Sequence, residues 1–130
     1  DCPPAAGLLA MNAILAADEI LIPVTGDYLA LQGLSRLIQV LRRIEQRLEK
    51  NTRKWFVLTR FHERRKLANE IRAKMINYFP GQVLKTCIRE NVALAESPGF
   101  GKTIFEYRPK SHGSEDYRQL ANDFLQRCTF

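Results

Sequence analysis

The sequence has few cysteines and no long apolar run, and each shortage excludes a class of protein. Its three cysteines are Cys2, Cys87 and Cys128. Their odd number, wide spacing and lack of a CxxC pair argue against a disulfide framework or a zinc site, so we expect them to be reduced. No apolar run approaches the roughly 20 residues of a membrane-spanning helix, and no secretory signal pattern is present. These absences predict a cytoplasmic protein without a membrane-embedded part.

Composition and charge fit a globular protein with a polyanionic partner. The 130 residues are 45% hydrophobic and 26% charged, which is typical of one soluble domain covering residues 1–130. Lysine and arginine number 20 against 14 acidic residues, giving a net charge of +6. Such a surplus favours binding to a polyanion such as DNA. Many basic proteins bind no nucleic acid, so charge alone leaves the partner open.

Hydrophobic spacing alternates between two periods along the chain. Apolar residues at helical spacing predict helices, and short continuous apolar runs predict strands buried on both faces. The predicted helices cover residues 5–17, 28 or 33 to 50, and 63–79; the predicted strands cover residues 20–24, 55–59 and 83–88. Pro23 is expected to end the first strand, because proline cannot donate to a ladder.

The last third of the sequence predicts a long loop followed by one helix. Residues 89–113 lack clear periodicity, and loops of such length in a compact domain are usually functional. Ser114 is expected to cap the last helix. Its predicted apolar face consists of Tyr117, Leu120, Ala121, Phe124 and Leu125.

Together these elements predict an α/β fold with a mostly parallel sheet flanked by helices. Three strands make a narrow sheet, and a parallel sheet normally has both faces and its neighbours covered. We therefore expect one sheet edge to lack a partner. An open edge with apolar faces favours self-association into a homodimer or a larger assembly.

The first four residues, DCPP, place an acid directly before two prolines. Proline fixes the backbone and can begin a helix, so Pro3 and Pro4 separate a preceding strand from the helix that follows. Asp1 is then the last residue of a strand. Open α/β sheets bind ligands at the carboxyl ends of their strands. Asp1 is therefore a candidate site residue.

Several motifs in one order make the chain resemble a known family. They are residues 1–4 (DCPP), 28–34 (YLALQGL), 91–102 (NVALAESPGFGK) and 107–113 (YRPKSHG). With this set the chain resembles the second half of the ParA/Soj-type partitioning ATPases, which share a superfamily with MinD. The resemblance extends over essentially all 130 residues. It implies the carboxyl-terminal portion of a three-layer P-loop NTPase-like domain.

The resemblance also implies roles for the first residues of the chain. Asp1 would be the Walker B acid, which holds the Mg²⁺ of bound ATP, through a water because Mg²⁺ keeps much of its hydration shell. Pro3 and Pro4 would lie in the switch segment that senses the γ-phosphate and positions the attacking water. These three residues form the implied catalytic set.

Residues at two later positions would bind the adenine base. Thr59 and Arg60 stand where the family has the strand end that faces adenine, and an arginine there can stack its guanidinium on the base. Ile88, Arg89 and Val92 would close the opposite side. The alternative for Arg60 is an arginine that simply faces solvent after a strand. Arg89 also replaces the family's loop-shaping proline.

DNA contacts would have to come from one basic helix. The family arginine credited with DNA contact is replaced here by Ala93. The best remaining candidates on a single helix are Arg64, Arg65, Lys66, Arg72 and Lys74. Phosphate contacts from such a cluster would be non-specific and strongly dependent on salt. The resemblance thus implies a nucleoid-associated protein with a ParB-like partner.

A glycine-rich phosphate loop of the KGGxGKT kind is missing from the sequence. Residues 99–103 (GFGKT) have a superficial likeness to it, but they lie late in the chain rather than between a first strand and helix. We therefore expect a carboxyl-terminal portion of a longer ATPase that does not bind or hydrolyse ATP alone.

Two other functions stay open at this point. One is a non-catalytic module that binds DNA or a partitioning partner. The other is a MinD-like role in positioning cell division at the membrane. Residues 122–130 show no basic amphipathic anchor of the expected type, which argues against membrane binding.

Overall fold

A computed structural model describes residues 7–49 and 51–130. The helices are α1 (Leu8–Ala16), α2 (Tyr28–Leu48), α3 (Lys66–Tyr78), α4 (Val92–Glu96), α5 (Ile104–Tyr107) and α6 (His112–Gln126). The strands are β1 (Glu19–Thr25) and β2 (Arg53–Thr59), which form a parallel sheet. This arrangement confirms the predicted α/β class, with helices flanking a parallel sheet.

Strand β2 lies at the centre of the molecule because both of its faces are buried. Phe56 and Leu58 join one apolar cluster with residues of α2 and α3. Trp55 and Val57, which alternate with them, join a second cluster with Leu120 of α6. Side chains alternate between the faces of a strand, so this pattern places the sheet between two layers of helices.

Strand β1 pairs with β2 in register from Glu19 opposite Arg53 to Thr25 opposite Thr59. The expectation that Pro23 ends the strand is wrong, since β1 continues through it to Thr25. Proline is tolerated in an edge strand, where the position of its missing N–H can face away from the ladder. Within the described residues β1 is such an edge, because its one paired neighbour is β2.

The predicted third strand, residues 83–88, does not form a continuous ladder. Val83 bridges Phe56, and the next bridge to the β2 side is between Arg89 and Phe61. Between these bridges the backbone N–H of Lys85 donates to the carbonyl of Cys128, at 3.2 Å. The N–H of Lys85 points away from β2, whereas that of Thr86 lies on the same side as the N–H groups of Leu84 and Ile88 that bond to β2. Thr86 donates instead to the carboxylate of Asp123, at 2.8 Å, so the bond that a regular strand would give to β2 is lost.

The prediction of one long loop at residues 89–113 is also wrong. This stretch contains α4, a 3₁₀ turn (Ser97–Phe100) and α5. Helix α6 begins earlier than predicted, because the side chain of Ser111, not Ser114, caps its first turn. Gly113 is required by close packing, since a Cβ there would lie 2.8 Å from Cγ of Leu94. Short capped turns carry little hydrophobic periodicity, which explains why the pattern missed them.

Helix α1 is apolar apart from Asn12, yet it buries none of its residues among the described parts of the chain. Leu8 and Leu9 are 83% and 73% exposed. A helix that is apolar on all sides is normally covered. No helix within residues 7–49 and 51–130 is both long enough and apolar enough to cross a bilayer.

Candidate functional site

A groove of about 510 Å³ opens where β2 ends, and we call it the strand-end groove. Its lining residues are Thr59, Arg60, Ile88, Arg89, Glu90, Asn91, Val92, Leu94, Ala95 and Tyr117. All five residues predicted to contact a base are therefore brought together on one concave surface. Such a groove at the carboxyl end of a parallel strand is a common ligand position in α/β folds.

Backbone bonds fix the two walls of the strand-end groove against each other. The N–H of Ile88 donates to the carbonyl of Leu58 at 2.8 Å, and the N–H of Phe61 donates to the carbonyl of Ile88 at 2.9 Å. Arg60 lies between these contacts with a positive φ of 48°. Left-handed backbone is uncommon for a residue with a Cβ and marks the point where β2 leaves its extended path.

The side chain of Arg89 faces Asp116 of α6. Its Nε lies 3.1 Å from both carboxylate oxygens, and one terminal nitrogen lies 2.5 Å from Oδ1. The same terminal nitrogen reaches Glu115 at 3.2 Å. Hydrogen bonding to Asp116 raises the pKa of Arg89 above its already high usual value. The guanidinium of Arg89 therefore links the groove wall to α6.

Glu90 lies between two arginines at the mouth of the strand-end groove. Its Oε1 is 3.6 Å from Arg60, and its Oε2 is 3.9 Å from Arg65. All three side chains are largely exposed, and pairs of this kind contribute at most about 1 kcal/mol. Arg60 is thus held only weakly and is available to a ligand.

The loop between Ile88 and α4 leaves backbone groups without partners. Asn91 caps α4, with its Oδ1 accepting from the N–H of Ala93 at 2.8 Å. Within the described chain, the carbonyls of Arg89 and Glu90 and the N–H of Asn91 make no hydrogen bond. Two acceptors and one donor are therefore available beside the groove, a set suited to the edge of a planar base.

The predicted DNA-binding residues do not share one helix, which corrects that expectation. Helix α3 begins at Lys66, so Arg64 and Arg65 lie in the turn before it. Arg64 and Lys74 are exposed, and Lys66 lies 3.9 Å from Glu70.

Arg72 differs from the other four basic residues because its guanidinium packs against aromatic rings of the fold. It packs over the rings of Phe61 and Phe130, at 5.3 and 5.9 Å, and donates to Asn69 at 2.9 Å. These contacts hold Arg72 within the fold. The exposed arginines of the preceding turn, Arg64 and Arg65, are therefore better placed to contact phosphate.

Asp1, Pro3 and Pro4, the predicted catalytic and metal-binding residues, lie outside the described residues. Within the described ranges, no group of three or more His, Cys, Asp or Glu side chains is arranged to hold a metal ion.

Sequence reasoning missed the buried acids of α6. The predicted apolar face included Leu125, which is 78% exposed, while Asp116 and Asp123 are buried. Asp123 accepts from the N–H and the hydroxyl of Thr86, at 2.8 and 2.7 Å. The spacing of Asp116, Leu120 and Asp123 places them on one helical face, which is the signal that could have indicated their burial.

Comparison with known proteins supports the resemblance carried by the motifs. A family model described as an AAA domain matches residues 1–54. The chain is 39% identical over 130 residues to a chromosome partitioning protein ParA of Myxococcus xanthus, covering 99% of this chain and 46% of that protein. The chain is homologous to the ParA/Soj-type partitioning ATPases.

Two further relatives agree with this assignment. The sporulation initiation inhibitor protein Soj of Bacillus subtilis is 40% identical over 124 residues, which are 95% of this chain and 49% of that protein. A chromosome-partitioning ATPase Soj of Thermus thermophilus is 37% identical over 128 residues, covering 98% and 51%. The chain therefore spans about half the length of the curated relatives it matches.

Proposed function

We propose that this chain is the carboxyl-terminal half of a ParA/Soj-type ATPase for DNA segregation, and that the strand-end groove holds the adenine of ATP. The observation that carries the proposal is the convergence of Thr59, Arg60 and residues 88–92 on one groove. Homology to proteins named ParA and Soj supports it. The groove volume, about 510 Å³, lies within the usual range for small-molecule sites.

The groove offers both kinds of contact that a purine needs. The weakly paired guanidinium of Arg60 can stack on the face of the base, which contributes about 0.5–2 kcal/mol. The unpaired backbone groups of residues 89–91 match a base edge that both donates and accepts. The side chain of Val92, which is 72% exposed, supplies an apolar surface next to them.

Phosphates and metal would be held by parts of the protein outside this groove. Asp1 would hold Mg²⁺ through a water, and Pro3 and Pro4 would lie in the segment that senses the γ-phosphate. A glycine-rich phosphate loop is not found in the sequence, so the chain alone is not expected to retain or hydrolyse ATP. ATP and Mg²⁺ are therefore proposed as ligands of the longer parent protein.

Nucleotide binding by the parent tests the adenine proposal. Arg60→Ala should weaken ATP binding by about 2- to 30-fold, since it removes the stacking contact. Arg43→Ala, which changes an exposed arginine of α2, is the matched control and should leave binding unchanged. Equal ATP affinity in the wild type and Arg60→Ala would favour the alternative in which Arg60 only faces solvent.

We also propose that the parent binds DNA non-specifically through Arg64 and Arg65, with a homodimer and a ParB-like partner as in the family it resembles. The exposed turn before α3 supports this choice, because both arginines lie there. Contacts with phosphates release counterions and weaken steeply with salt. A location on the nucleoid would follow from such binding.

Retention on heparin or DNA tests this second proposal. The double variant Arg64→Glu, Arg65→Glu should elute at lower salt than the wild type. The control Arg42→Glu, Arg43→Glu makes the same charge change on α2 and should elute later than the test variant. Equal elution of the two double variants would remove the assignment to residues 64 and 65. Sedimentation with liposomes separates this proposal from the MinD-like alternative.

A further inference from the structure

The strongest polar anchor beside the strand-end groove is the carboxylate of Asp116. Its side chain is only 7% exposed, although it carries charge. It accepts from the backbone N–H of Arg89 at 2.9 Å and from the guanidinium of the same residue at 2.5 and 3.1 Å. One side chain therefore fixes both the backbone and the side chain of a groove residue that is 27 positions away.

We propose that Asp116 is a positioning residue that holds the base-reading loop, residues 88–91, in its binding conformation. The part of this inference that concerns a ligand rests on the proposed adenine site. The Arg89–Asp116 pair restrains the loop because Asp116 bonds to both the backbone N–H and the guanidinium of Arg89.

The position of the anchor explains how it acts on the groove. Asp116 bonds to the N–H of Arg89, whereas the carbonyls of Arg89 and Glu90 stay without partners among the described residues. Ile88, directly before, is fixed by its N–H to Leu58 of β2 and by its carbonyl to the N–H of Phe61, two residues after β2 ends. The loop is therefore held from two sides while its unpaired groups remain available to a ligand.

Asp123 provides a matched comparison on the same helix. It is buried like Asp116, lies seven residues later, and accepts two hydrogen bonds from Thr86. Thr86 does not line the strand-end groove. Loss of either anchor should affect the fold to a similar degree, but only Asp116 should affect residues 89–91.

Amide hydrogen exchange on the 130-residue chain tests the positioning role without any ligand. Asp116→Asn replaces the charged acceptor with a neutral amide, so exchange at the bonded amides of Arg89 and Glu90 should rise about 10- to 100-fold. Asp123→Asn should raise exchange at Thr86 and leave Arg89 and Glu90 near their wild-type rates. Equal exchange at Arg89 and Glu90 in both variants would overturn the inference. If Asp116→Asn does not fold, Arg89→Lys is tested instead. This variant keeps the hydrogen bond from the backbone N–H of residue 89 to Asp116 but loses the guanidinium bonds.

Nucleotide selectivity in the parent protein adds a readout that a merely structural role would not change. Asp116→Asn should reduce the ratio of ATP to GTP affinity several-fold, whereas Asp123→Asn should preserve it. Faster exchange at Arg89 and Glu90 with no ATP binding by the wild-type parent would refute the adenine proposal and leave the positioning role intact. Faster exchange with an unchanged ATP to GTP ratio would refute the effect of Asp116 on base recognition.

Discussion

The guanidinium of Arg127 forms two bonds to the carboxylate of Glu19, each 2.6 Å long, across 108 residues of sequence. It also lies 5.0 Å from the ring centres of both Trp55 and Phe124. Trp55 donates to the same carboxylate at 2.8 Å. Glu19 begins β1, so this cluster fastens the end of α6 to the amino-terminal edge of the sheet, opposite the strand-end groove.

Loss of the two bonds between Arg127 and Glu19 should destabilise the fold without a direct effect on the strand-end groove. Arg127→Gln removes both charged bonds to Glu19 and the cation over two rings, so thermal unfolding should occur a few degrees lower. Arg118→Gln changes an arginine of the same helix that packs over one ring, Phe105. An equal melting temperature for the two variants would contradict the stabilising role given to the Arg127–Glu19 bonds.

Low pH should weaken the interactions among Glu19, Trp55 and Arg127. Partial desolvation would raise the pKa of Glu19, but hydrogen bonds from Trp55 and Arg127 outweigh it and hold the pKa below the usual value of about 4.5. A depressed folded-state pKa gives stability that is present above the unfolded pKa and is lost as pH falls through the folded one.

The measurement is stability from pH 6 to pH 2 by urea unfolding. The wild type should lose stability below about pH 4.5 more steeply than Glu19→Gln, which cannot titrate at this position. Parallel curves for the two proteins would show that Glu19 does not contribute to the acid response.

Cys87 should react slowly with alkylating agents at neutral pH. Burial raises the pKa of its thiol to about 11, against an opposing effect of Arg72, so little thiolate is present. Mass spectrometry after iodoacetamide treatment at pH 7.5 should show slow labelling of Cys87 in the native chain and fast labelling in urea. Native labelling as fast as that in urea would contradict the burial of this residue.

The exposed apolar surface of α1 and β1 should drive self-association of the isolated chain. Leu8 and Leu9 project from α1, and Leu21 of β1 is 42% exposed. Light scattering should show a dimer or larger assembly that Leu8→Glu, Leu9→Glu shifts toward monomer. Leu125→Glu changes an equally exposed leucine of α6 and should not have this effect. A monodisperse wild-type monomer would refute the prediction.

The sequence predicted those parts of the fold that depend on local patterning. Leu34, Ile38 and Leu41 recur at helical spacing, and all three are buried in the core beneath α2. The apolar run of β2 predicted a strand buried on both faces, which the two clusters confirm. Placement of Thr59 and Arg60 near residues 88–92 followed from the family motifs, and both segments line one groove.

Features that depend on contacts distant in sequence could not be predicted this way. Residues 83–88 have the composition of a strand, but Thr86 pairs with Asp123, 37 residues later, instead of extending the ladder. The tie between Arg89 and Asp116 spans 27 residues and has no local signature. A charged residue on a helix is expected in solvent, so residue type predicts exposure for Asp116, although its spacing from Leu120 places it on the buried face.

The most direct measurement for the central claim is ATP hydrolysis by the complete polypeptide that the native reading frame encodes. We predict a phosphate-loop motif upstream of Asp1, hydrolysis of Mg-ATP by the wild type, and a large loss of activity in Asp1→Ala. Glu70→Ala, which changes an exposed acid of α3, should retain activity. A reading frame without any phosphate-loop motif, or hydrolysis that Asp1→Ala leaves unchanged, would contradict the account.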